Sequence, residues 1–310
     1  MTLTKKTAAS VAVFATFIAL AALNIVFYFD LIPLSDNGID RAFTLVSQIV
    51  CMGLIPCIVF KALSPKTELV EHASLKPPKA KTVPAIIVIA LMMLFINLTV
   101  AVINLVGLTL FGYKLPESAG TIYTGVGSLL LDLVLVAVLP ALFEEFTFRG
   151  IVLGAYKDSP KVGIVLSALL FGLMHTNIMQ FLYAFIGGLV LAAIVVKTRS
   201  IWASSIIHFS INAFGILRAY GAQHEESVIN LLNKGLNYLF SEDMLLVFFG
   251  LVIAMCFAVV AILKRIDKRD PVDMRARGER EPLRNYAFTV GAVVFGGMMT
   301  VATLIWGIMR

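Results

Sequence analysis

Residues 131–156 read LDLVLVAVLPALFEEFTFRGIVLGAY, an apolar stretch that contains Glu144, Glu145 and Arg149. The stretch is long enough to cross a membrane as a helix, for which about 20 apolar residues are needed. A charged side chain at mid-membrane costs about 2.5–3.5 kcal/mol on insertion scales. Three ionisable side chains this close together therefore need a functional or structural reason.

The composition places this stretch in a membrane protein. Of the 310 residues, 59% are hydrophobic and 14% are charged, whereas soluble domains have about 45–50% apolar and about 25% charged residues. The net charge of +6 could suggest nucleic acid, but the basic residues lie in loops between apolar segments. Membrane orientation explains them better, and no nucleic-acid partner is expected. The composition predicts an all-α polytopic membrane protein.

Apolar segments long enough to span a bilayer recur along the whole chain. The first could be mistaken for a signal peptide, but its apolar run exceeds the roughly 7–15 residues of a signal core, so we predict an uncleaved span. The three cysteines lie within these segments, so no disulfide framework is expected. The prediction is a bundle of about eight or nine transmembrane helices, near 7–29, 42–62, 84–112, 126–156, 161–178, 180–197, 200–218, 244–264 and 286–309.

The basic residues predict how this bundle is oriented. With nine spans and a cytoplasmic N-terminus, the predicted cytoplasmic segments hold 20 of the 25 lysines and arginines, in agreement with the positive-inside rule. Eight of the 20 lie in the loop 264–284. We therefore predict a multi-pass protein of the cell membrane. An amphipathic segment at 228–240 is expected to lie along the outer interface.

Three regions follow from this order of segments. Residues 1–120 are predicted to form N-terminal transmembrane helices, with a Pro/Lys-rich cytoplasmic linker at 64–83. Residues 121–220 contain most of the unusual polar residues and are predicted to form the catalytic core. Residues 221–310 are predicted to contain the outer interfacial segment and the C-terminal transmembrane helices.

Polar residues on three different spans fall at a similar predicted depth. At a rise of 1.5 Å per residue, Glu145, His175 and Asn212 lie roughly 18–21 Å from the nearest cytoplasmic charge on their spans, and His208 lies roughly 14 Å from it. A shared intramembrane site requires this arrangement. Of the other intramembrane candidates, Asp132 is predicted near the outer face, in a structural or interfacial role. The two remaining histidines, His72 and His224, are predicted in loops.

The local spacing suggests roles for these residues. Glu145 and Arg149 stand at i and i+4 on one helix, so they can pair, whereas Glu144 is rotated about 100° away and is free to act as a general base. His208 and Asn212 are also i and i+4, and such a pair of donors can hold an oxyanion. The structural alternative is a buried packing pair with histidines that bond neighbouring helices.

A proline adds a local feature to the first of these helices. Pro140 removes a backbone hydrogen bond, so a kink is predicted just before Glu144, with room for water or substrate.

These residues also form three ordered motifs. EEFTFR (144–149) fits E-E-x-x-x-R, FGLMH (171–175) fits F-x-x-x-H, and HFSIN (208–212) fits H-x-x-x-N. In this order and spacing, residues 135–217 resemble the CPBP family, also called the Abi or CAAX-protease family. That family includes the type II CAAX prenyl endopeptidases.

The resemblance implies an intramembrane endopeptidase with a helical core. Glu144 with His175 would activate a water, His208 and Asn212 would stabilise the oxyanion, and Glu145 and Arg149 would support the site. We favour catalysis without a metal or other cofactor. The alternative is zinc held by Glu144, His175 and His208, since catalytic zinc sites use three protein ligands and one open position.

Two other functions are compatible with the same residues. One is a non-catalytic membrane immunity or scaffold protein of the same fold. The lesser alternative is a proton-coupled transporter, since Glu and His within membrane spans also mark proton relays, although the sequence shows no inverted repeat. The favoured reading implies a peptide or membrane-protein substrate that is cleaved within the lipid bilayer.

Overall fold

The computed structural model describes residues 4–28, 36–115, 121–269 and 287–309. Within these ranges every regular element is a helix, and each of the nine predicted spans corresponds to one of them. The predicted all-α class is therefore confirmed. Most of the basic loop predicted over 264–284 lies outside the described residues, as does Arg310.

Eleven helices follow one another along the described residues. Two of them, α2 and α5, are built from consecutive α-helical and π-helical turns, and a short 3₁₀ turn (Ala80–Thr82) precedes α4. The helices are α1 (Lys5–Tyr28), α2 (36–63), α3 (Leu69–His72), α4 (Val83–Leu110), α5 (Val126–Ala155), α6 (Pro160–Met174), α7 (Ile178–Thr198), α8 (Ile201–Gln223), α9 (Asn230–Leu239), α10 (Leu245–Arg269) and α11 (Ala287–Met309).

Seven of the described helices are long and apolar enough to cross a membrane: α1, α2, α4, α5, α7, α10 and α11. Of the other two predicted spans, α6 is apolar but has only 15 residues, and α8 has 23 residues but is more polar. The polytopic helical architecture is confirmed, with a count near the predicted eight. The segment predicted as amphipathic contains the separate helix α9.

Wide π-helical turns interrupt α2 and α5. They cover Ser47–Leu54 in α2, and Leu133–Val138 and Phe146–Val152 in α5. Turns of this kind are rare and are frequent at functional sites. Pro140 follows the first wide turn of α5, within the α-helical segment Leu139–Glu145. The helix therefore continues through Pro140, where we predicted a kink. Its winding changes from π-helical to α-helical just before the proline.

Helix α5 lies between α2, α6 and α8 and packs against all three. Side chains from α2, α5 and α6, together with α1, α7 and α11, form a core around Phe148 and Phe171. The two acidic residues of the first motif are buried in α5, with Glu144 5% and Glu145 0% exposed. The fold thus surrounds the charged part of α5 with protein and keeps it away from lipid.

The loops at one end of the bundle are tied to each other. Lys6 at the start of α1 pairs with Asp158 at 2.7 Å, and the amide of Ile201 donates to the carbonyl of Ser74 at 3.1 Å. The Nζ of Lys157 donates to the carbonyl of Glu71. The loops around these residues are among those that we predicted to lie on one side of the membrane. We call this end of the molecule the basic end.

The linker at the basic end is more ordered than its sequence predicts. His72, which we predicted in a loop, is the last residue of the short helix α3. It is buried (4% exposed), and it stacks on Phe60 with ring centroids 4.7 Å apart. Its Nε2 lies 3.2 Å from the carbonyl oxygen of Ile151. Burial lowers the pKa of His72 to about 4, so the ring is neutral at pH 7. Gly154 is required here, because a Cβ would lie 2.5 Å from the carbonyl oxygen of His72.

Candidate active site

A buried three-residue cluster lies at the centre of the site. Glu145 Oε1 is 2.9 Å from Arg149 Nη1 and 2.9 Å from His208 Nδ1. Glu145 and Arg149 belong to successive turns of α5, and His208 comes from α8, so the cluster joins the two helices. The side chains of Glu145 and Arg149 are 0% exposed. Because Glu145 accepts from a guanidinium, it is ionised, and Nδ1 of His208 is the donor in the second bond.

Arg149 is surrounded by protein on several sides. Its Cζ lies 4.2 Å from the ring centroid of Phe171, and its Nη2 donates to the carbonyl of Gly188 at 3.4 Å. Its Nε has no hydrogen-bond partner among the described residues. The positive-inside count placed Arg149 with the cytoplasmic loop residues. That placement is wrong, because the residue is 1% exposed inside the bundle.

Phe171, the first residue of the second motif, packs between the functional side chains. Its ring makes edge contacts with His175, His208 and Phe148 at centroid distances of 5.1, 5.6 and 5.5 Å. Together with the cation–π contact to Arg149, these contacts fix the relative positions of α5, α6 and α8. No role was predicted for Phe171 from the sequence, although it is part of the second motif.

His175 lies directly after the last turn of α6. Thr176 has a φ of 48°, an uncommon value for a β-branched residue, and reverses the chain at this point. The Nδ1 of His175 donates to the carbonyl of Phe171 at 2.9 Å, so Nε2 of a neutral ring is an acceptor. Glu144 and His208 lie close enough to interact electrostatically with His175.

Glu144 has two polar neighbours. Gln48 Nε2, from the wide turn of α2, donates to Glu144 Oε1 at 2.7 Å, and His208 Nε2 lies 3.8 Å from Oε2. The amide oxygen of Gln48 has no hydrogen-bond partner within the described chain. Gln48 was not among the site residues that we predicted from the sequence. The available signal was a lone glutamine within the apolar segment 42–62.

The two carboxylates constrain the protonation of His208. Its Nδ1 donates to Glu145, so Nε2 carries a proton only when the ring is doubly protonated. Donation from Nε2 of His208 to an oxyanion therefore requires the imidazolium form.

Asn212 bonds to α5 in this structure. Its Nδ2 donates to the carbonyl of Val136 at 3.0 Å. The proline four residues later, Pro140, has no N–H with which to form the helical bond to that carbonyl. Asn212 donates to the carbonyl of Val136 in place of the N–H that Pro140 lacks. One of its two amide hydrogens is used in this bond. Asn212, like His175, is thus bonded to the backbone and not to the charged cluster.

Asp132, at the start of the first wide turn of α5, lies in a different environment. Its carboxylate accepts from Arg41 Nε at 2.8 Å and from Arg41 Nη2 at 3.3 Å. The residue is 3% exposed. This ion pair links α2 to α5 and agrees with the structural role predicted for Asp132.

The donor groups do not form a metal site as they stand. Within the described ranges, no group of three or more His, Cys, Asp or Glu side chains is arranged to hold a metal ion. The alternative zinc ligands were Glu144, His175 and His208. Each histidine donates from Nδ1 to the protein, which is also the arrangement of histidines that bind a metal through Nε2, so the placement of the three side chains decides the fit. The arrangement does not fit a preformed three-ligand zinc site.

Comparison with known families agrees with the motifs. Residues 126–214 match the family model described as Type II CAAX prenyl endopeptidase Rce1-like. The predicted resemblance to the CAAX-protease family is thus confirmed over this segment, which contains all six predicted site residues and excludes Gln48. No curated protein matches the chain, and no solved structure matches it.

Replacing Arg149 with leucine is expected to destabilise the protein. The change leaves Glu145 as an uncompensated carboxylate in the core, and breaking a buried pair from one side costs roughly 3–5 kcal/mol. Replacing both members, as Glu145→Gln with Arg149→Leu, is expected to recover much of this loss because no unpaired charge remains. The free energy of unfolding in mixed micelles measures both effects.

The control for this cycle is Arg199→Leu, because Arg199 is an exposed arginine of the described chain. This variant makes the same change from arginine to leucine, and its free energy of unfolding is expected to stay close to that of the wild-type protein. A stability of Arg149→Leu equal to that of the wild-type protein would contradict the role assigned to the ion pair.

Proposed function

We propose that this protein is an intramembrane endopeptidase of the CAAX-protease type. The observation that carries the proposal is the position of Glu144, a buried carboxylate that contacts Gln48 and lies beside His208 in a bundle of apolar helices. The match of residues 126–214 to the type II CAAX prenyl endopeptidase model supports the same activity. The substrate class is a peptide or membrane protein that reaches the site within the bilayer.

In the proposed reaction Glu144 is the general base. It removes a proton from a water molecule while the water oxygen forms a bond to the carbonyl carbon of the peptide. The carbonyl π electrons move onto oxygen and produce a tetrahedral oxyanion. When this intermediate collapses, the C–N bond breaks and the leaving nitrogen takes the proton from Glu144. One water is consumed, and Glu144 returns to its ionised state.

His175 is proposed to orient the attacking water. Its Nδ1 bond to the carbonyl of Phe171 leaves Nε2 as an acceptor in the neutral ring. When Nε2 of His175 accepts one hydrogen of the water, the other hydrogen is directed towards Glu144. The unpartnered amide oxygen of Gln48 is a further acceptor in the same region.

The oxyanion is proposed to bind His208 and Asn212. His208 contributes Nε2–H as an imidazolium held between two carboxylates, and Asn212 contributes the amide hydrogen that Val136 does not use. Removing one donor from an oxyanion hole costs about 10²–10³ in kcat in enzymes where this has been measured. Glu145 and Arg149 hold His208 in place and do not contact the reacting atoms.

We also propose that the reaction uses no metal ion. The support is the placement of Glu144, His175 and His208, which among the described residues do not form a group that could hold a metal ion.

The orientation is likewise a proposal. It places the protein in the cell membrane with the N-terminus and the basic end in the cytoplasm, on the basis of the distribution of lysine and arginine.

Glu144→Gln is expected to abolish cleavage, because the amide cannot accept the proton from water. Comparative proteomics of membranes that contain wild-type or variant protein would detect this as peptide ends that appear only with the wild type. Glu226→Gln, at an exposed position, is the control with the same chemical change. Identical sets of peptide ends from wild type and Glu144→Gln, at equal protein abundance, would rule out the proposed enzyme. A non-catalytic scaffold would give that result.

Activity is expected to survive prolonged treatment with a strong zinc chelator, since the proposed water activation needs no ion. The measurement is the cleavage rate of purified protein before and after chelation, on a substrate identified by the proteomic comparison. Loss of activity that added zinc restores would overturn the metal-free mechanism. Glu144, His175 and His208 would then become ligands.

Gln48→Leu is expected to lower kcat by about tenfold or more, because a hydrogen bond to a charged group contributes roughly 1.5–3 kcal/mol. The variant also lacks the bond that holds the carboxylate of Glu144 in place. A purely structural role for Gln48 would lower the thermal midpoint and leave the cleavage rate of the folded variant unchanged. The cleavage rate, measured well below the thermal midpoint of the same variant, separates the two roles.

A further inference from the structure

A cavity of about 700 Å³ lies at the basic end of the bundle. Its walls come from helix α3 and the residues after it, the end of α5, the turn 156–160 and the end of α7. The charged residues in its wall include Glu71, Lys76, Lys157 and Arg199. The cavity is separate from the contacts around Glu144, and the proposed cleavage mechanism makes no use of it.

The charges in the wall are unbalanced. Two of its charged residues have partners of opposite charge, Asp158 with Lys6 at 2.7 Å and Arg149 with Glu145 at 2.9 Å. The other four are three cations (Lys76, Lys157 and Arg199) and the carboxylate of Glu71. An anion of one or two charges would balance this set.

The cations also lie close enough to influence one another. Partial burial lowers the pKa of Lys157, and the positive charges of Lys5 and Arg199 lower it further, against the opposite effect of Glu71. Like charges held together disfavour each other's charged forms. A bound anion would relieve this repulsion.

A buried donor without a partner adds a second, independent observation. Arg149 contributes to the wall of the cavity although it is only 1% exposed, and its Nε has no hydrogen-bond partner among the described residues. Unsatisfied buried donors are rare in folded proteins and call for an explanation such as an ion. Arginine is also the side chain best suited to planar oxyanions.

The rest of the wall suits an anion at a membrane surface. Leu153, Val195 and Val196 contribute apolar surface close to the ends of the spanning helices α5 and α7. Pro160, also in the wall, begins α6, and the N-terminus of a helix has a partial positive charge that favours anions. The volume is within the range of about 300–1,000 Å³ that is usual for small-ligand sites.

We propose that this cavity binds a phosphate group, either from the headgroup of an anionic lipid or as a free phosphate ion. Lys76, Lys157 and Arg199 are the cations that would bind it. This site is additional to the proposed proteolytic function and does not depend on it. Arg149, which holds Glu145, lies in the wall of the same cavity.

The test measures thermal unfolding of the purified full chain in nanodiscs, which needs no cleavage assay. In one arm, inorganic phosphate is titrated into discs of phosphatidylcholine at constant ionic strength. In the other arm, the discs contain phosphatidic acid and the buffer contains no phosphate. A ligand that binds only the folded protein raises the unfolding temperature.

The cavity variant is Lys157→Gln with Arg199→Gln. The control is Lys66→Gln with Lys81→Gln, which removes the same charge from exposed positions of the linker that are not in the cavity wall. The cavity variant is expected to bind phosphate at least about tenfold more weakly, because two charged donors are lost. The control is expected to bind as the wild type does. The unfolding temperatures without ligand show whether each variant is folded.

The two arms identify the source of the phosphate. A rise of the wild-type unfolding temperature in the first arm alone, lost in the cavity variant, indicates a free phosphate ion. The same pattern in the second arm alone indicates a lipid headgroup. The same pattern in both arms indicates a site that accepts either one. No rise in either arm, or an equal rise in the wild type, the cavity variant and the control, would overturn the proposal.

Discussion

The ion pair between Glu145 and Arg149 is the interaction on which the rest of the site depends. Two opposite charges on successive turns of one helix can enter a membrane together at a much lower cost than either one alone. Once paired, Glu145 still has acceptor capacity, and His208 uses it to bond α8 to α5. The position of His208 beside Glu144 follows from this bond. The pair therefore contributes to the stability of the bundle and to the orientation of a proposed catalytic group.

The wide turns of α2 and α5 complete this arrangement. The wide turn of α2 contains Gln48, which bonds to Glu144 and lies outside the segment 126–214 that matches the family model. The second wide turn of α5 begins directly after Glu145. At the remaining wide turn, the carbonyl of Val136 is satisfied by Asn212. Polar side chains from neighbouring helices thus donate to acceptors on α5. The same bonds hold the predicted donors in position.

The sequence predicted those features that depend on local spacing. The i and i+4 relation of Glu145 and Arg149 is visible in any straight helix, and apolar length was sufficient to find the helices. Arg149 was nevertheless misplaced in the positive-inside count, because that count considers distance along the chain and not burial. Gln48 and the packing of His72 on Phe60 were missed because they depend on contacts between segments far apart in sequence. No periodicity predicts contacts of that kind.

The shortness of α6 has a consequence for the surrounding lipid. Its 15 residues extend over roughly 22 Å, whereas the hydrocarbon core is about 30 Å thick. Val162 and Val165 on this helix are exposed, so part of it faces acyl chains. A short apolar helix draws the bilayer thinner around itself. The chain turns at His175, where α6 ends, so a thinner bilayer beside this helix brings the headgroups and their water closer to the buried carboxylates. Lipid acyl-chain length then becomes a variable of the proposed chemistry.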